Sequence, residues 1–233
     1  VIGYGGGSSM DVAKLIAVLI KDEQALSELY GVENVSSSRA PLIQIPTTAG
    51  TGSEVTAVAI VTTGEFTKAG VVSPVLFADA VILDPQLTLG LPPHVTAATG
   101  IDAMVHAIEA YTSKRLKNPL SDMAAVQALN LMAKSIHTAV NDGTNLQARS
   151  DMLLGAMLAG QAFANAPVAA VHALAYPLGG IYHIPHGLSN SLVLPHVIRY
   201  NSPNAMHLYQ QLADVILFDR PRAADAAQVT EQL

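Results

Sequence analysis

One carboxylate and three imidazoles in this chain are spaced so that they could act on a single atom. Asp102 and His106 lie four residues apart in Gly100-Ile101-Asp102-Ala103-Met104-Val105-His106, so on a helix they share one face. His172 and His186 belong to residues 171–186, Val-His-Ala-Leu-Ala-Tyr-Pro-Leu-Gly-Gly-Ile-Tyr-His-Ile-Pro-His. His172 closes an apolar run with the look of a buried helix. Pro177, Gly179 and Gly180 are expected to break that run, and His186 is expected in a second turn, Pro185-His186-Gly187. The chain has no cysteine, so thiolate ligands are excluded. A carboxylate with three histidines is a set for a divalent transition metal such as iron(II) or zinc. A cation would also satisfy four polar groups that are costly to bury unpaired. Four other histidines, His94, His137, His196 and His207, need no special chemistry; His196 follows Pro195 and fits a helix cap.

Two further stretches could hold phosphate or ribose. Val1-Ile2-Gly3-Tyr4 reads as a short strand running into Gly5-Gly6-Gly7-Ser8-Ser9. From Met10 to Ile20 the spacing is helical, with Val12, Leu15, Ile16 and Leu19 on one face. A strand, a glycine turn and a helix can aim backbone N–H groups at an anion. The motif is neither G-x-G-x-x-G, because Met10 takes the last glycine's place, nor a P-loop. A plain turn with a Ser or Asp cap explains it equally well. Residues 31–40 read as a surface loop. Residues 41–46 form a second strand, which delivers Thr47-Thr48-Ala49-Gly50-Thr51-Gly52-Ser53-Glu54, dense in hydroxyls and glycine. Two such loops fit one dinucleotide spread over the ends of a parallel sheet. Residues 55–63, 71–73 and 80–83 read as further strands. Lys68 follows a turn, where a solvated lysine is the default.

From Leu91-Pro92-Pro93 the pattern turns helical. Residues 96–111 carry Asp102 and His106. Asn118-Pro119 reads as an N-cap with proline at the first helical position. It opens a helix bearing Met123, Val126, Leu129, Leu131 and Ile136. Residues 149–165, 172–178, 188–198 and 206–217 complete the helical half, and the boundary falls near residues 88–93. The 233 residues, half of them hydrophobic, can bury one large core or two modest ones. A net charge of −6 gives no reason to expect nucleic acid or an acidic membrane as partner. Residues 152–182 carry no charged side chain. They are alanine-rich and interrupted by Gln161, Asn165 and Pro167, which favours a core helix over a membrane span. The absence of cysteine is compatible with a reducing cytoplasm, the expected location. No signal peptide is visible.

Taken in order, four stretches resemble the iron-containing (group III) alcohol dehydrogenase family. They are Gly5-Gly6-Gly7-Ser8 with Asp11 and Lys14, residues 46–56, Gly100-Ile101-Asp102-Ala103 with His106-Ala107-Ile108-Glu109, and His172 through Pro185-His186-Gly187 to Leu194-Pro195-His196. The resemblance implies an α/β nucleotide-binding part with a parallel sheet, incomplete here, over residues 1–90. An all-α metal-binding domain over residues 91–233 follows, with the active site between the two. It places the metal ligands on Asp102, His106, His172 and His186. It places cofactor contacts on Gly6, Gly7, Ser8, Thr47, Thr48, Thr56 and Lys68, and Thr51 shares the hydroxyl-rich loop. Many members have a histidine, thought to relay a proton, where this chain has Tyr176; Tyr176 and His183 are the candidates for that task.

The implied reaction is reversible oxidation of a primary or secondary alcohol, or a diol, with hydride transfer to NAD or NADP at Fe2+, with Zn2+ as the other metal. The partner is a small alcohol or aldehyde, and self-association is open. Three rivals remain. One is a metal-independent oxo-acid (maleylacetate-type) reductase, another a metal-dependent hydrolase using Glu109 as base, and the third a non-catalytic truncated remnant. The family has strands before the glycine turn and helices beyond residue 233, so the chain reads as a fragment. The expected consequences are an unpaired edge at Val1, Ile2 and Tyr4 and, at the other end, a helix's polar tail, Thr230-Glu231-Gln232-Leu233.

Overall fold

The structure, a computed structural model, describes residues 1–21, 24–64, 67–219 and 229; the tail expected at 230–233 lies outside them. In chain order the first elements are β1 (Ile2–Gly5), α1 (Gly7–Leu19), β2 (Gly31–Val32), β3 (Ile43–Pro46), β4 (Val58–Thr62), β5 (Lys68–Val72) and β6 (Ala80–Val81). Then come α2 (Pro93–Thr112), α3 (Pro119–Asn141), α4 (Leu146–Asn165), α5 (Ala170–Tyr182) and α6 (His186–Ile216). An α/β part followed by an all-helical part is the expected fold class.

β1, β3 and β6 form a parallel sheet in the order β1-β3-β6, with Ile2 opposite Ile43 and Ile43 opposite Ala80. Among the described residues β1 pairs only with β3, and its Ile2 and Tyr4 are exposed. A second sheet, β2-β5-β4, is mixed: β2 runs parallel to β5, and β4 antiparallel to it. The strand β2 lies inside the stretch expected to be loop. Two residues, one of them glycine, carry no alternation to read.

The helix α1 buries only part of its expected apolar face: Leu15 is buried and Leu19 packs against the same cluster. Met10, Ala13, Lys14, Ala17 and Val18 are buried, whereas Val12 and Ile16 are exposed. Ala13 and Ala17 pack with Leu42, small side chains letting the helix lie close to the sheet. Lys14 is drawn in by polar partners: its Nζ donates to Val58 O at 2.7 Å and Thr56 Oγ1 at 3.3 Å, and sits 3.5 Å from Asp11. Asp11 in turn accepts from Ser53 Oγ at 2.5 Å and Ile60 N at 2.9 Å. Helix and following loop are thus tied by charge-assisted hydrogen bonds.

In the helical half, Ala103 and Ala107 of α2, Leu129 and Met132 of α3, and Met152 and Ala156 of α4 share one core. Asn118 caps α3 as expected, accepting from Leu120 N at 3.1 Å and Ser121 N at 3.0 Å, with Pro119 behind it. Arg149 is buried and joins α4 to the start of α2 through Thr96 Oγ1 at 2.7 Å and Leu91 O at 3.2 Å. The breaks expected at Pro177, Gly179 and Gly180 do not occur, since α5 runs through all three. The helices expected at 188–198 and 206–217 are one, α6, which contains Pro195 and Pro203, so His196 is an interior residue and not a cap. A helical proline costs about 3 kcal/mol, which burial of Val197, Ile198, Tyr209 and Leu212 along α6 offsets.

Gly52 joins the two halves. Its φ is +61°, and a Cβ there would lie 2.5 Å from Gly160 Cα on α4, so the Thr47–Glu54 loop rests backbone to backbone on that helix. Among the described residues no single helix is long and apolar enough to cross a membrane; α4 and α5 pass that test only as a pair bent by 109°.

Candidate active site

The site is built outward from α2, which carries Asp102, His106 and Glu109 on successive turns. Glu109 is buried and receives the first turn of α5: Val171 N donates to its Oε1 at 2.7 Å, and His172 Nδ1 lies 2.6 Å from its Oε2. One carboxylate thereby satisfies an orphaned helix N–H and fixes the imidazole, because an Nδ1–H bonded to a carboxylate leaves Nε2 with a free lone pair. That Nε2 lies 3.8 Å from Asp102 Oδ1. His186 is the first residue of α6, not part of a turn. The next residue, Gly187, lets α6 press onto α2, where a Cβ would fall 2.0 Å from Ala98 O. This contact sets His186 Nε2 3.6 Å from Asp102 Oδ1.

Asp102, His172 and His186 each offer a ligand atom, all within 4.8 Å of one another. His106, the fourth expected ligand, is not in that group. Its ring stacks on Phe163 at 4.5 Å and on His172 at 4.6 Å, and its Nδ1 is buried with no hydrogen-bond partner among the described residues. Burial, reinforced by the neighbouring histidines and opposed by Asp102, brings the His106 pKa down to about 4. Burial, with His172 and Lys68, likewise lowers His186. Against desolvation, which would raise it, the bond to His172 holds Glu109 below its ordinary value. Neutral imidazoles beside a carboxylate are the ligating forms. Two imidazoles, of His172 and His186, converge with Asp102, and a third, of His106, lies against them with a nitrogen unpartnered among the described residues. This donor set fits a divalent transition ion.

Tyr176 stacks on His186 with ring centroids 5.6 Å apart. With Lys68, Ile60, Ala69, Ala173 and Ile181 it lines a cleft of about 910 Å³ between the β4–β5 hairpin and α5. The cleft therefore adjoins the histidine cluster, and Lys68 opens β5 after the connection from β4, facing the cleft rather than standing as a merely solvated lysine. Burial, then Asp102 and Glu109, raise the Tyr176 phenol, so it keeps its proton at neutral pH. His183 ends α5 in the left-handed region, exposed and outside the residues lining the cleft.

The two loops also meet. Gly6 is the N-cap of α1 and Ser8 lies exposed in its first turn. Thr47 N donates to Gly5 O at 2.9 Å. A Cβ on Gly6 would sit 3.5 Å from Thr48 Oγ1, and one on Gly7 3.0 Å from Thr51 Oγ1. Glycine N–H groups and threonine hydroxyls thus share one surface. Thr56 lies apart, buried and bonded to Lys14 and Ser53 O. The sequence reading missed Asn190, whose Nδ2 lies 2.5 Å from Asp102 Oδ1; the available signal was its place one helical turn after His186.

Comparison with known proteins agrees with this arrangement. The family model "Iron-containing alcohol dehydrogenase" matches residues 1–85, and "Fe-containing alcohol dehydrogenase family, C-terminal" matches residues 96–233. The chain belongs to the iron-containing alcohol dehydrogenase family. It is 52% identical over 203 residues to long-chain-alcohol dehydrogenase 1 of Geobacillus thermodenitrificans, covering 86% of this chain and 51% of that protein. A crystal structure of 1,3-propanediol oxidoreductase superposes with a TM-score of 0.93 at 39% identity, covering 99% of this chain and 60% of that one. Sulfoacetaldehyde reductase from Bifidobacterium kashiwanohense, solved in complex with NAD+, gives 0.84 at 32% identity, with 99% and 61% covered. The chain spans about half to three-fifths of the length of these relatives.

Proposed function

We propose that this chain carries the metal and nucleotide sites of an enzyme that reversibly oxidises a primary or secondary alcohol, or a diol, with hydride transfer to NAD or NADP. The observation that carries the reading is the convergence of Asp102, His172 and His186 beside a cleft lined by Tyr176 and Lys68. These three residues, with His106 as the fourth, would hold Fe2+ or Zn2+. Such a cation supplies Lewis acidity that lets an alcohol O–H ionise near neutral pH. Glu109 keeps His172 in the ligating tautomer. Tyr176, protonated and stacked on His186, is placed to donate a hydrogen bond to a group in the cleft, whereas His183, outside the lining, is the weaker candidate for moving a proton. Lys68 brings a positive charge to the same cleft.

Gly6, Gly7, Ser8, Thr47, Thr48 and Thr51 would offer N–H and O–H groups to the nucleotide; Thr56 supports them from within. Residues 1–90 would form the nucleotide-binding domain and residues 91–233 the metal-binding domain. A metal-dependent hydrolase needs a free general base beside the metal. Glu109 does not serve, because its oxygens are engaged by Val171 N and His172 Nδ1. The test combines metal analysis of the purified chain with NAD- and NADP-dependent turnover of a panel of alcohols, diols and aldehydes. The expected result is nucleotide-dependent turnover lost on chelation and restored by Fe2+ or Zn2+. Bound metal with no nucleotide affinity would defeat the reading.

A further inference from the structure

Asn190 is fully buried on α6. Its Nδ2 donates to Asp102 Oδ1 at 2.5 Å and lies 3.3 Å from His172 Nε2 and 3.5 Å from His186 Nε2. These atoms belong to the three residues that converge in the candidate site, and each is an acceptor when the imidazoles are in the tautomer that can bind a cation. Three lone pairs facing one another lack a hydrogen, and an amide NH2 supplies two. The amide's orientation is dictated by chemistry, for if it were turned over its carbonyl oxygen would confront the Asp102 carboxylate, acceptor against acceptor. That orientation has a visible cost. Asn190 Oδ1 is buried with no hydrogen-bond partner among the described residues, a state that is unfavourable unless the opposite end of the amide compensates.

We propose that Asn190 is a positioning residue whose NH2 group holds Asp102, His172 and His186 in their converged arrangement while no cation is bound, and gives up that role when a cation binds. The inference rests on the metal reading of the site. It makes the centre preorganised, because the ligands need not be gathered at the moment of binding.

The experiment uses the full chain as wild type, Asn190→Asp and Asn190→Ala, each stripped by chelation and then titrated with Zn2+ at neutral pH. Thermal unfolding and bound zinc per chain are read out. Asp has nearly the shape of Asn but no donor, and it sets a second carboxylate against Asp102. The stripped Asn190→Asp protein should therefore unfold several degrees below stripped wild type. Zinc should remove that deficit, giving a larger zinc-induced shift than wild type shows. Asn190→Ala should bind zinc roughly tenfold or more weakly, the size usual for lost support around a metal ligand. Equal zinc-induced shifts in Asn190→Asp and wild type would mean that Asn190 only fills space, and would overturn the proposal. So would unchanged zinc affinity in Asn190→Ala. Failure of the wild-type chain itself to bind zinc would instead defeat the metal reading, which separates the two failures.

Discussion

Replacing Glu109 by Gln changes few atoms and removes one charge, yet it acts on the residue that sets the tautomer of His172. The carboxylate oxygen 2.6 Å from His172 Nδ1 becomes part of a neutral amide, a weaker acceptor that can also present its NH2. Metal affinity should fall by roughly 10–100-fold, while NAD(H) affinity, measured by fluorescence titration, should stay near wild type. Equal losses of both would show that Glu109 chiefly supports the fold. His172→Ala should remove bound metal altogether with the same sparing of the nucleotide. Tyr176→Phe probes the other side of the cluster. It keeps the ring on His186 and deletes only the hydroxyl, so metal content should be unchanged and kcat should drop by about tenfold or more if the phenol acts on the reacting group. Unchanged kcat would leave Tyr176 a packing residue.

At the scale of elements, polar spacing was easier to read than apolar spacing. The Asn118-Pro119 cap, the helix bearing Asp102 and His106 and the two glycine loops all follow from local chemistry acting within a few residues. The continuity of α5 and α6 was hidden because Pro177, Pro195 and Pro203 signal a break locally; in α6 the burial of Val197, Ile198, Tyr209 and Leu212 around the prolines overrules it. The buried face of α1, right at Leu15, was misread at Val12 and Ile16 for a related reason. Lys14 is inside because Asp11, one turn before it, and Thr56 and Val58, more than forty residues further on, supply its partners. Asn190 escaped notice since an asparagine on a helix has no motif of its own. Two glycines make these elements testable. At Gly6 a Cβ meets only Thr48 at 3.5 Å, an ordinary contact, so Gly6→Ala should fold normally and lose nucleotide affinity by crowding the pyrophosphate. At Gly52 the left-handed backbone and the 2.5 Å approach to Gly160 leave no room. Gly52→Ala should lower stability by on the order of 2–4 kcal/mol, read as a fall in Tm.

Across the whole molecule, the α/β part meets the helices near Glu54, whose side chain lines a cavity with Val81 on one side and Leu120, Ala124 and Gln161 of α3 and α4 on the other. Burial raises its pKa to about 7, against a hydrogen bond to backbone and the attraction of Lys14. Lys14 is lowered by burial to about 8, with Asp11 and Glu54 opposing. The two groups give opposite slopes of stability with pH. Between its ordinary value of 4.5 and about 7, folded Glu54 holds its proton while the unfolded chain has lost it, so stability falls as pH rises through that window. Between about 8 and 10.5 the unfolded chain holds the lysine proton more tightly than the folded one, so stability recovers with rising pH. The junction should therefore contribute least near pH 7–8. Glu54→Gln removes the first slope and, by taking a charge from beside Lys14, also shifts the second. Its Tm should match wild type near pH 4.5, where Glu54 is protonated in the folded chain. The gain over wild type should grow up to neutrality, by on the order of 3 kcal/mol from a shift of this size. The charge lost beside Lys14 subtracts from that gain and lets the recovery begin at a lower pH than in wild type. Parallel Tm–pH curves for the two proteins between pH 5 and 7 would show that Glu54 is solvated in the working molecule, and that the contact between its two halves is looser than the structure describes.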